Sequence, residues 1–534
     1  MKSVLRDVVA KGIRVVSNAG GVNPQACAAA LAALAQEQGV ELKIAVVSGD
    51  DVMPLLPALR EAGAVREMQS GAPLPVNVLT ANAYLGALPV KAALDAGAQV
   101  VITGRCVDSA VTLGVLMHEF GWGPDEHDRL AGGSLAGHIL ECGCQGTGGL
   151  HTDWDTVPGW DNMGYPIAEC RVDGSFVVTK PAGTGGKVTP AVVAEQMLYE
   201  IGDPAAYLLP DVICDFTQVT MTQDGQHRVE VRGARGRPPT PTYKVCATHV
   251  QGFKTSAQLT IVGFDAVVKA RRTGAAIIDR TTVLLEKAGL GPYTATHIEV
   301  LGAESCYGPH ATATHTREAV LRLTATHGRR EALVLLTREV APAGTSWAPG
   351  TTGAGGRASV SPSIRQYSFL LDKSRLAPVV TIDGKAIAVA QPTGQAGAVT
   401  SAAPTPAPDA PVGSHAASDL LEVPLIRLAF GRSGDKGDIS NIGIIAREPR
   451  FLPVLRAQVT EAAVAAWLAH LVKGEVTRFE VPGIHAFNFV CTQALGGGGM
   501  ASMRNDALGK GMAQILLSMP VQVPIALLSD SSGV

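Results

Sequence analysis

The N-terminal stretch IRVVSNAGGVNPQACAAALAALAQEQGVELKIAVVSGDD, residues 13–51, carries the clearest secondary-structure pattern in the chain. A β-branched run leads into a glycine loop, and a helical stretch from Pro24 to Gln38 separates this loop from a second apolar run. Asn23 suits the N-cap of the helix, Pro24 its first turn and Gly39 its stop. This order predicts two parallel strands connected by a helix.

The same alternation continues less cleanly through the following residues. Helical periodicity at 85–97 and 109–121 flanks a strand at 99–104, so we predict an open, doubly wound and mostly parallel α/β sheet. From about 211 to 390 the chain is richer in short strands, with one strong helix near 264–287. That mixture predicts an α+β extension.

Composition indicates the domain boundaries. Residues 391–419 are dominated by Ala, Pro, Gly, Ser and Thr, which is typical of a mobile linker. This linker separates a main body at 1–390 from a small domain at 420–534. We expect the body to divide near residue 210 into its α/β and α+β parts, since a chain of 534 residues exceeds one hydrophobic core.

The small domain is predicted to contain four strands and two helices in the order ββαββα. Their expected ranges are 425–430, 442–446, 452–472, 477–481, 486–493 and 506–519. We expect the two glycine-rich loops of this domain to share one edge. The sheet should be antiparallel or mixed, with both helices on one face.

Bulk composition excludes several classes of partner. With 46% hydrophobic and 17% charged residues, a net charge of −3 and no long basic run, the chain is expected to bind no nucleic acid. It lacks an apolar run long enough to span a bilayer, and its start lacks the apolar core of a signal peptide. Its nine scattered cysteines suit reduced thiols; Cys106 is a candidate nucleophile or a buried structural thiol. We expect a cytoplasmic protein with no membrane partner.

Two loops follow strands of the predicted parallel sheet, at positions where ligands commonly bind. Asn18, Gly20 and Gly21 precede the first helix, whose free N–H groups favour an anion, although the two glycines also suit a simple tight turn. Arg105 and Asp108 follow a later strand. Arg105 suits a carboxylate or phosphate, and Asp108 is either a catalytic candidate or a helix cap.

The densest polar segment is GHILECGCQGTGGLHTDWD, residues 137–155. On a helix His138 and Glu141 share one face, which suits general acid–base chemistry. A metal site is an alternative, although the ligand spacing matches no common zinc pattern. Its candidate ligands are His138, Cys142, Cys144 and His151. Structural packing is the third interpretation.

The stretch TKPAGTGGKVTP, residues 179–190, has the composition of a phosphate loop but not its motif. GxxxxGK[ST] is absent, and Val188 stands where Ser or Thr should bind magnesium, so an ATPase is not supported. Thr189 suits the N-cap of the helix that follows. Lys187, next to that helix N-terminus, is a candidate ligand for a looser anion site.

A further glycine-rich stretch, GRSGDKGDISNIGIIAR, occupies residues 431–447. Its glycines and aspartates favour a tight turn between two strands. Because Arg432, Lys436 and Asn441 accompany them, we also expect the loop to touch the ligand or the pocket of the main body.

Long motifs follow one another along the whole chain. They are RVVSNAGGVNP, GHILECGCQGTGG, GYPIAE, TKPAGTGGKVTPAVVAEQMLYEIGDPAAYLLPDV, GRSGDKGDISNIGIIAR and NFVCTQALGGGG. Together they resemble the acyclic terpene utilisation A (AtuA) family. The resemblance implies a ferredoxin-like small domain and a role in the breakdown of citronellol- and geraniol-type isoprenoids. That pathway runs through coenzyme A thioesters of methyl-branched acids, which implies an acyl-CoA ligand. The resemblance brings no catalytic residue with it.

We therefore expect an enzyme of the lyase or hydratase class that acts on a branched acyl-CoA, with Glu141, His138 and Asp108 in catalysis. The expected ligand-binding residues are Asn18, Gly20, Gly21, Arg105, Lys187, Arg432, Asp435 and Lys436. The alternative is a non-catalytic ligand-binding or scaffolding subunit that assists a pathway acyl-CoA carboxylase. We expect no metal and no cofactor beyond the coenzyme A of the substrate, and we expect a homo-oligomer.

Overall fold

The computed structural model describes residues 1–21, 23–353, 356–395 and 419–529. The chain forms a mixed α/β structure with several sheets. Most of the predicted linker at 391–419 lies outside the described residues. Within the described ranges, no helix combines the length and the apolarity needed to cross a bilayer.

The helices and strands of the main body alternate along the chain. The helices are α1 (Leu5–Ala10), α2 (Pro24–Glu37), α3 (Leu56–Ala62), α4 (Leu88–Asp95), α5 (Ala110–Glu119), α6 (His127–Leu140), α7 (Pro190–Leu198), α8 (Ala266–Lys287), α9 (Arg330–Val340) and α10 (Ala343–Ser346). The strands are β1 (Val15–Ser17), β2 (Ile44–Ser48), β3 (Val78–Ala83), β4 (Val100–Thr103), β5 (Ile167–Cys170), β6 (Phe176–Thr179), β7 (Tyr207–Leu208), β8 (Ile213–Asp215), β9 (Thr220–Gln223), β10 (Val229–Arg232), β11 (Arg235–Arg237), β12 (Thr242–Val262), β13 (Ala295–Leu301), β14 (Glu318–His327), β15 (Thr351–Thr352), β16 (Val360–Asp372), β17 (Val379–Ile382) and β18 (Lys385–Ala388).

The N-terminal sheet is mixed rather than mostly parallel. Its strand order is β1-β4-β2-β17-β18, and β4 pairs in parallel with both β1 and β2. The predicted parallel unit is therefore present, but β17 pairs antiparallel with β2, and β18 antiparallel with β17. The other described sheets of the body are antiparallel. The structure does not confirm a doubly wound, mostly parallel sheet, because local periodicity does not specify pairing with strands from the far end of the body.

The longest strand, β12, organises an antiparallel sheet. Its order is β13-β14-β12-β15, and β3 and β16 also pair with β12. The sequence predicts two strands here, but the chain stays extended through a β-bulge between Val250 and Phe253, where Gly252 has φ +71°. Helix α8 packs its apolar face on this sheet. Since β3 belongs to the N-terminal half, both halves of the body share a sheet, and a division near residue 210 stays a prediction.

Both predicted helix caps of the main body form. Asn23 Oδ1 accepts a hydrogen bond from Ala26 N at 3.0 Å, with Pro24 in the first turn of α2. Thr189 Oγ1 accepts from Val192 N at 3.4 Å. These caps fix where α2 and α7 begin.

The small domain has its own apolar core and an antiparallel sheet. Its strands are β19 (Leu420–Pro424), β20 (Ala429–Lys436), β21 (Ile439–Ala446), β22 (Val476–Val481), β23 (Ala486–Cys491) and β24 (Pro520–Pro524). Its helices are α11 (Leu452–Gln458), α12 (Glu461–Trp467), α13 (Met512–Leu517) and α14 (Ile525–Ser529). The central sheet has the order β20-β21-β23-β22, and β19 pairs with β24 beside it.

Most of the predicted hairpin loop is strand. β20 and β21 stay paired up to a turn formed by Gly437 and Asp438, and Gly437 has φ +69°, which favours glycine. Asp438 Oδ1 accepts N–H bonds from Leu495 at 3.0 Å and from Gly497 at 2.9 Å. The second glycine loop therefore lies at the same edge as the first, as predicted.

The two predicted helices of the small domain are shorter than expected. The helix predicted at 452–472 is divided into α11 and α12, where Thr460 accepts an N-cap hydrogen bond from Ala463 N at 3.2 Å. The helix predicted at 506–519 is limited to α13, and Asp506 accepts N–H bonds within the loop that precedes it. Apolar periodicity continues across both interruptions, so it does not reveal them.

The main body and the small domain meet where the chain leaves α7. This helix ends at Leu198, and the following residues lie against β20 and β21. A Cβ at Gly434 would lie 2.6 Å from Glu200 Cγ, and one at Gly443 would lie 2.7 Å from Leu198 Cβ. The glycines of the two strands therefore permit this close approach.

Two buried asparagines bind the end of α7 to the small domain. Asn441 Nδ2 donates to Leu198 O at 2.6 Å, and Asn441 Oδ1 accepts from Glu200 N at 2.8 Å. Asn488 Nδ2 donates to two further carbonyls of the same segment at 2.9 and 2.6 Å, and the two amides also bond to each other. Neither side chain is more than 4% exposed. Loss of either amide would leave buried polar groups unpaired.

We expect Gly443→Ala to lower the free energy of unfolding by about 1–3 kcal/mol, because the added Cβ must push against Leu198 in a packed contact. Gly434→Ala should act in the same way. Thermal or denaturant unfolding of the full chain measures the effect. Gly344→Ala is the matched control, since a Cβ there meets nothing within 4 Å. A loss no larger than that of the control would contradict the packing role.

Candidate functional site

Asn18, Arg105 and Asp108 lie together beyond the carboxyl ends of β1 and β4. Asn18 Nδ2 donates to Asp108 Oδ1 at 3.0 Å, and no side chain caps α5, so Asp108 does not serve as its helix cap. Arg105 Cζ lies 5.0 Å from the centre of the Tyr84 ring. Asn18, Arg105 and Asp108 are accessible to solvent, and hence to a ligand.

His138 and Glu141 are in contact at the end of α6. His138 Nδ1 lies 3.2 Å from Glu141 Oε1, and His138 Nε2 lies 3.2 Å from Met197 O. Because a carbonyl only accepts, Nε2 donates to Met197 O, and Nδ1 is the ring atom that faces the Glu141 carboxyl group. Nδ1 is buried and makes no hydrogen bond to the described residues. The Glu141 side chain is 16% exposed.

Asp108 connects the strand ends to Glu141 and to the small domain. Burial is the largest influence that raises the pKa of Asp108, and the charge of Glu141 raises it further. Arg105, Lys436 and the hydrogen bond from Asn18 lower this pKa without cancelling the rise. The charges of Glu141 and Lys436 therefore both act on the Asp108 carboxyl group.

The small domain brings cations to Glu200 beside this site. Lys436 forms an ion pair with Glu200, and Lys510 Nζ lies 3.1 Å from both Glu200 Oε1 and Asp435 Oδ1. Lys510 also donates to the Tyr199 hydroxyl group. Although burial opposes ionisation, the charges of Lys436 and Lys510 and the hydrogen bonds of Lys436 and Tyr199 lower the pKa of Glu200 to about 2.

These side chains form one group, which we call the join cluster. Its members are Asn18, Arg105, Asp108, Glu141, Glu200, Asp435, Lys436 and Lys510. It places carboxyl groups of the body next to cations from both parts of the chain. Arg105 and Lys436 are its exposed cations.

Arg432 supports the join cluster from the protein interior. Only 7% exposed, it bonds to Gln145, and its Cζ lies 4.8 Å from the centre of the Tyr199 ring. Burial lowers the pKa of its guanidinium group. Its contacts fix the position of Tyr199, and direct binding of a ligand by Arg432 stays a prediction.

His151 is engaged in a buried ion pair rather than in a metal site. Its Nδ1 lies 2.7 Å from Glu195 Oε2, and its ring stacks on Phe430. Thr152 N donates to Glu195, and Gly431 N donates to Thr152 Oγ1 at 3.0 Å, so this group links the body to β20. Across the part of the chain that the structure describes, no three His, Cys, Asp or Glu side chains converge as metal ligands. The metal alternative therefore has no structural support.

Lys187 and the two glycines of the first loop do not join the cluster. Lys187 Nζ donates to Thr156 Oγ1 at 2.9 Å, on the loop that precedes β5. A Cβ at Gly20 would clash with Thr103 O, and Gly21 has φ +53°. Gly20 and Gly21 thus serve the tight turn after β1. The position of Lys187 depends on how its loop folds back, which the motif does not specify.

The thiols near the site differ in their surroundings. Burial raises the pKa of Cys106 to about 11, so this thiol stays protonated at neutral pH and fits a structural role. Burial and then the charge of Glu141 raise the pKa of Cys142. The Cys144 thiol points to Met163 O at 3.8 Å.

Sequence reasoning missed Tyr199, Glu200 and Lys510. Glu200 has φ +59°, a conformation that residues other than glycine rarely adopt, and no local pattern announces it. Lys510 lies in a loop where a helix is predicted. The available signal was that Tyr199 and Glu200 lie in the longest of the motifs that carry the family resemblance.

The lowered pKa of Glu200 predicts a loss of stability in acid. A folded-state pKa of about 2, below the ordinary 4.5, means that ionised Glu200 stabilises the folded protein above pH 4.5. As the pH falls from 4.5 towards 2, we expect this contribution, up to about 3 kcal/mol, to disappear. Urea unfolding of the wild type and of Glu200→Gln across this range measures it.

The comparison with Glu200→Gln isolates one carboxyl group from the others that titrate in acid. The variant should be less stable than the wild type at pH 6 and should approach it at low pH. Glu331→Gln is the control, because Glu331 is 69% exposed and its nearest cation is 3.8 Å away. Parallel stability curves for the wild type and Glu200→Gln would refute the assignment.

Family models match both parts of the chain. The model of the acyclic terpene utilisation family protein AtuA covers residues 1–382, and the model of the AtuA ferredoxin-like domain covers residues 423–522. Comparisons with curated proteins and with solved structures gave no match. The ferredoxin-like nature of the small domain, implied by the motifs, is confirmed. The chain belongs to the AtuA family, which is implicated in acyclic terpene utilisation.

Proposed function

We propose that this protein is an acid–base enzyme of acyclic terpene catabolism that adds water to, or removes it from, a branched acyl-CoA. The observation that carries the proposal is the pair of carboxyl groups of Asp108 and Glu141, set beside the cations Arg105 and Lys436 in a solvent-accessible cluster. Lyase or hydratase chemistry of this kind needs two proton-transfer groups and a means of stabilising negative charge.

The two carboxyl groups suit opposite roles. Asp108 is held by Asn18, and the charges of Arg105 and Lys436 favour its carboxylate form, so we assign it the role of the base that takes a proton from water. Glu141 lies 3.2 Å from His138 Nδ1, and we assign it the role of the acid. Water oxygen bonds to Cβ of the enoyl thioester as Asp108 removes its proton. The electron pair of the Cα=Cβ bond forms the carbon–carbon double bond of an enolate, and the carbonyl pair moves to the thioester oxygen. As the carbonyl re-forms, the enolate double-bond pair takes the Glu141 proton at Cα.

The neighbouring cations would bind the negative charge that develops. During addition the thioester carbonyl becomes an enolate, whose oxygen a guanidinium or ammonium group stabilises best where water is scarce. Arg105 and Lys436 are the exposed cations next to Asp108. The proposed chemistry uses side chains alone, and coenzyme A enters only as part of the substrate.

We expect Glu141→Gln and Asp108→Asn each to lower kcat by about 100-fold or more, because each removes one proton-transfer group. Hydration of methyl-branched enoyl-CoAs, and dehydration of the hydroxyacyl products, measures turnover in the purified full chain. Each variant should keep its thermal midpoint. Asp125→Asn, at an exposed carboxyl group outside the join cluster, is the control.

Two results would overturn the proposal in different ways. Unchanged turnover in both variants would remove Asp108 and Glu141 from the mechanism. Binding of an acyl-CoA without turnover of any member of the panel would favour the non-catalytic alternative, a ligand-binding or scaffolding subunit that assists a pathway carboxylase.

A further inference from the structure

A cavity lies between the β12 sheet and the small domain, outside the join cluster. It has a volume of about 710 Å³, which is within the range of small-molecule sites. The body contributes residues of β13 and of the segment after it, including His297 and Glu299. The small domain contributes Gly496 of its second glycine loop, Arg504 and Met512.

The carboxyl groups around this cavity are already bonded to the protein. Glu299 pairs with Arg322 at 2.5 Å and accepts a hydrogen bond from Asn505 N at 3.0 Å. Asp506 accepts N–H bonds from Lys510 and Gly511, both at 2.9 Å. A cation therefore compensates Glu299, whereas Asp506 is held by neutral backbone donors.

The cations lack equivalent partners. Arg504 donates to the carbonyls of Ala494 and Leu471, and in the described ranges no carboxylate forms an ion pair with it, although the charges of Asp438, Glu299 and Asp506 act on it. Lys254 donates to the carbonyls of Met500 and Ser502, again without an acidic partner in the described chain. A carbonyl satisfies a donor but leaves most of a unit charge uncompensated.

Arg365 extends this positive surface to the outer side of the glycine loop. A Cβ at Gly497 would lie 3.1 Å from Arg365 Nη1, so the guanidinium group lies directly against the loop. Arg365 Nε is buried, and among the described residues it has no hydrogen-bond partner. The pKa of Lys254 is lowered by burial and then by Arg322 and Arg365, which shows that these cations crowd one another.

The glycine loop allows a ligand to approach the main chain closely. Gly496 to Gly499 all have positive φ, and the loop is anchored by the bonds from Leu495 N and Gly497 N to Asp438. The absence of side chains lets Gly498 approach the Gly437 carbonyl and Gly497 approach Arg365, and it leaves open space at Gly499.

We propose that this cavity and its arginine-bearing rim bind a phosphate-bearing organic molecule. Arg365 and Lys254 lie outside the lining but contact the loop whose Gly496 and Ser502 line the cavity. They would hold the phosphate beside Gly497, since a guanidinium fork matches phosphate oxygens. The apolar lining suits the organic part of the ligand. It includes Ile298, Leu471, Met503, Met512 and Ile515.

This site is distinct from the proposed catalytic one. The segment from Asp506 to Met512 separates them, because both of these residues line the cavity while Lys510 between them reaches Glu200 and Asp435 in the join cluster. The inference therefore does not rest on the proposed reaction. The phosphate has two possible sources, the coenzyme A portion of a substrate and a separate ligand, and experiment can distinguish them.

Isothermal titration calorimetry of the full chain with coenzyme A and with inorganic pyrophosphate tests the proposal. We expect the wild type to bind at least one of them, more weakly at high salt. Arg365→Gln and Lys254→Gln should each weaken binding about tenfold or more, and Arg365→Lys should restore part of the loss. Binding of pyrophosphate alone would identify a free-phosphate site, whereas binding of coenzyme A alone would show that the organic part is required.

The control is Arg272→Gln, at an exposed position on α8, which should bind like the wild type. Absence of binding to both probes, or equal affinity in Arg365→Gln and the wild type, would overturn the proposal. Thermal midpoints without ligand verify that the variants fold. Loss of phosphate binding in Arg365→Gln, with turnover insensitive to Asp108→Asn and Glu141→Gln, would sustain this inference while the proposed reaction failed.

Discussion

The buried amides of Asn441 and Asn488 are the constraint on which the rest of the structure depends. They bond to the backbone directly after α7, at a depth where an unpaired polar group costs about 1–3 kcal/mol. This requirement fixes the end of α7 on the small-domain sheet, and it stabilises Glu200 in its unusual left-handed conformation. The glycines of β20 and β21 are needed because this contact leaves no space for a Cβ at Gly434 or Gly443.

The candidate site is a consequence of the same contact. Asp108 and Glu141 come from two separate elements of the body, whereas Lys436 and Lys510 come from the small domain. Neither part of the chain contains the complete charge arrangement. The orientation of Glu200 sets where the two lysines lie, and Lys436 in turn lowers the pKa of Asp108 against the effects of burial and of Glu141. The body and the small domain thus produce a single electrostatic environment where they meet.

Local patterns predicted local structure well and distant pairing badly. Asn23 and Thr189 were recognisable as caps because capping depends on neighbours three residues away. The antiparallel pairing of β17 with β2 could not be recognised, since the local sequence of a strand does not specify a distant partner. The same difference applies to the site. His138 and Glu141 were paired from helical spacing alone, but Glu200 and Lys510 required knowledge of the tertiary contact. Lys187 lies elsewhere because glycine loops leave the direction of a side chain unspecified.

The asparagine pair also bears on how such a protein can evolve. An apolar contact between domains tolerates exchange of one domain for another, because an apolar surface can be replaced by another of similar shape. Here the small domain must present amide groups that match particular main-chain atoms of the body, in one register. A ferredoxin-like domain borrowed from another protein would bury those atoms without partners. The two parts of the chain are therefore expected to be inherited as one unit. Substitutions on one side of the contact are limited by the need to match the other side.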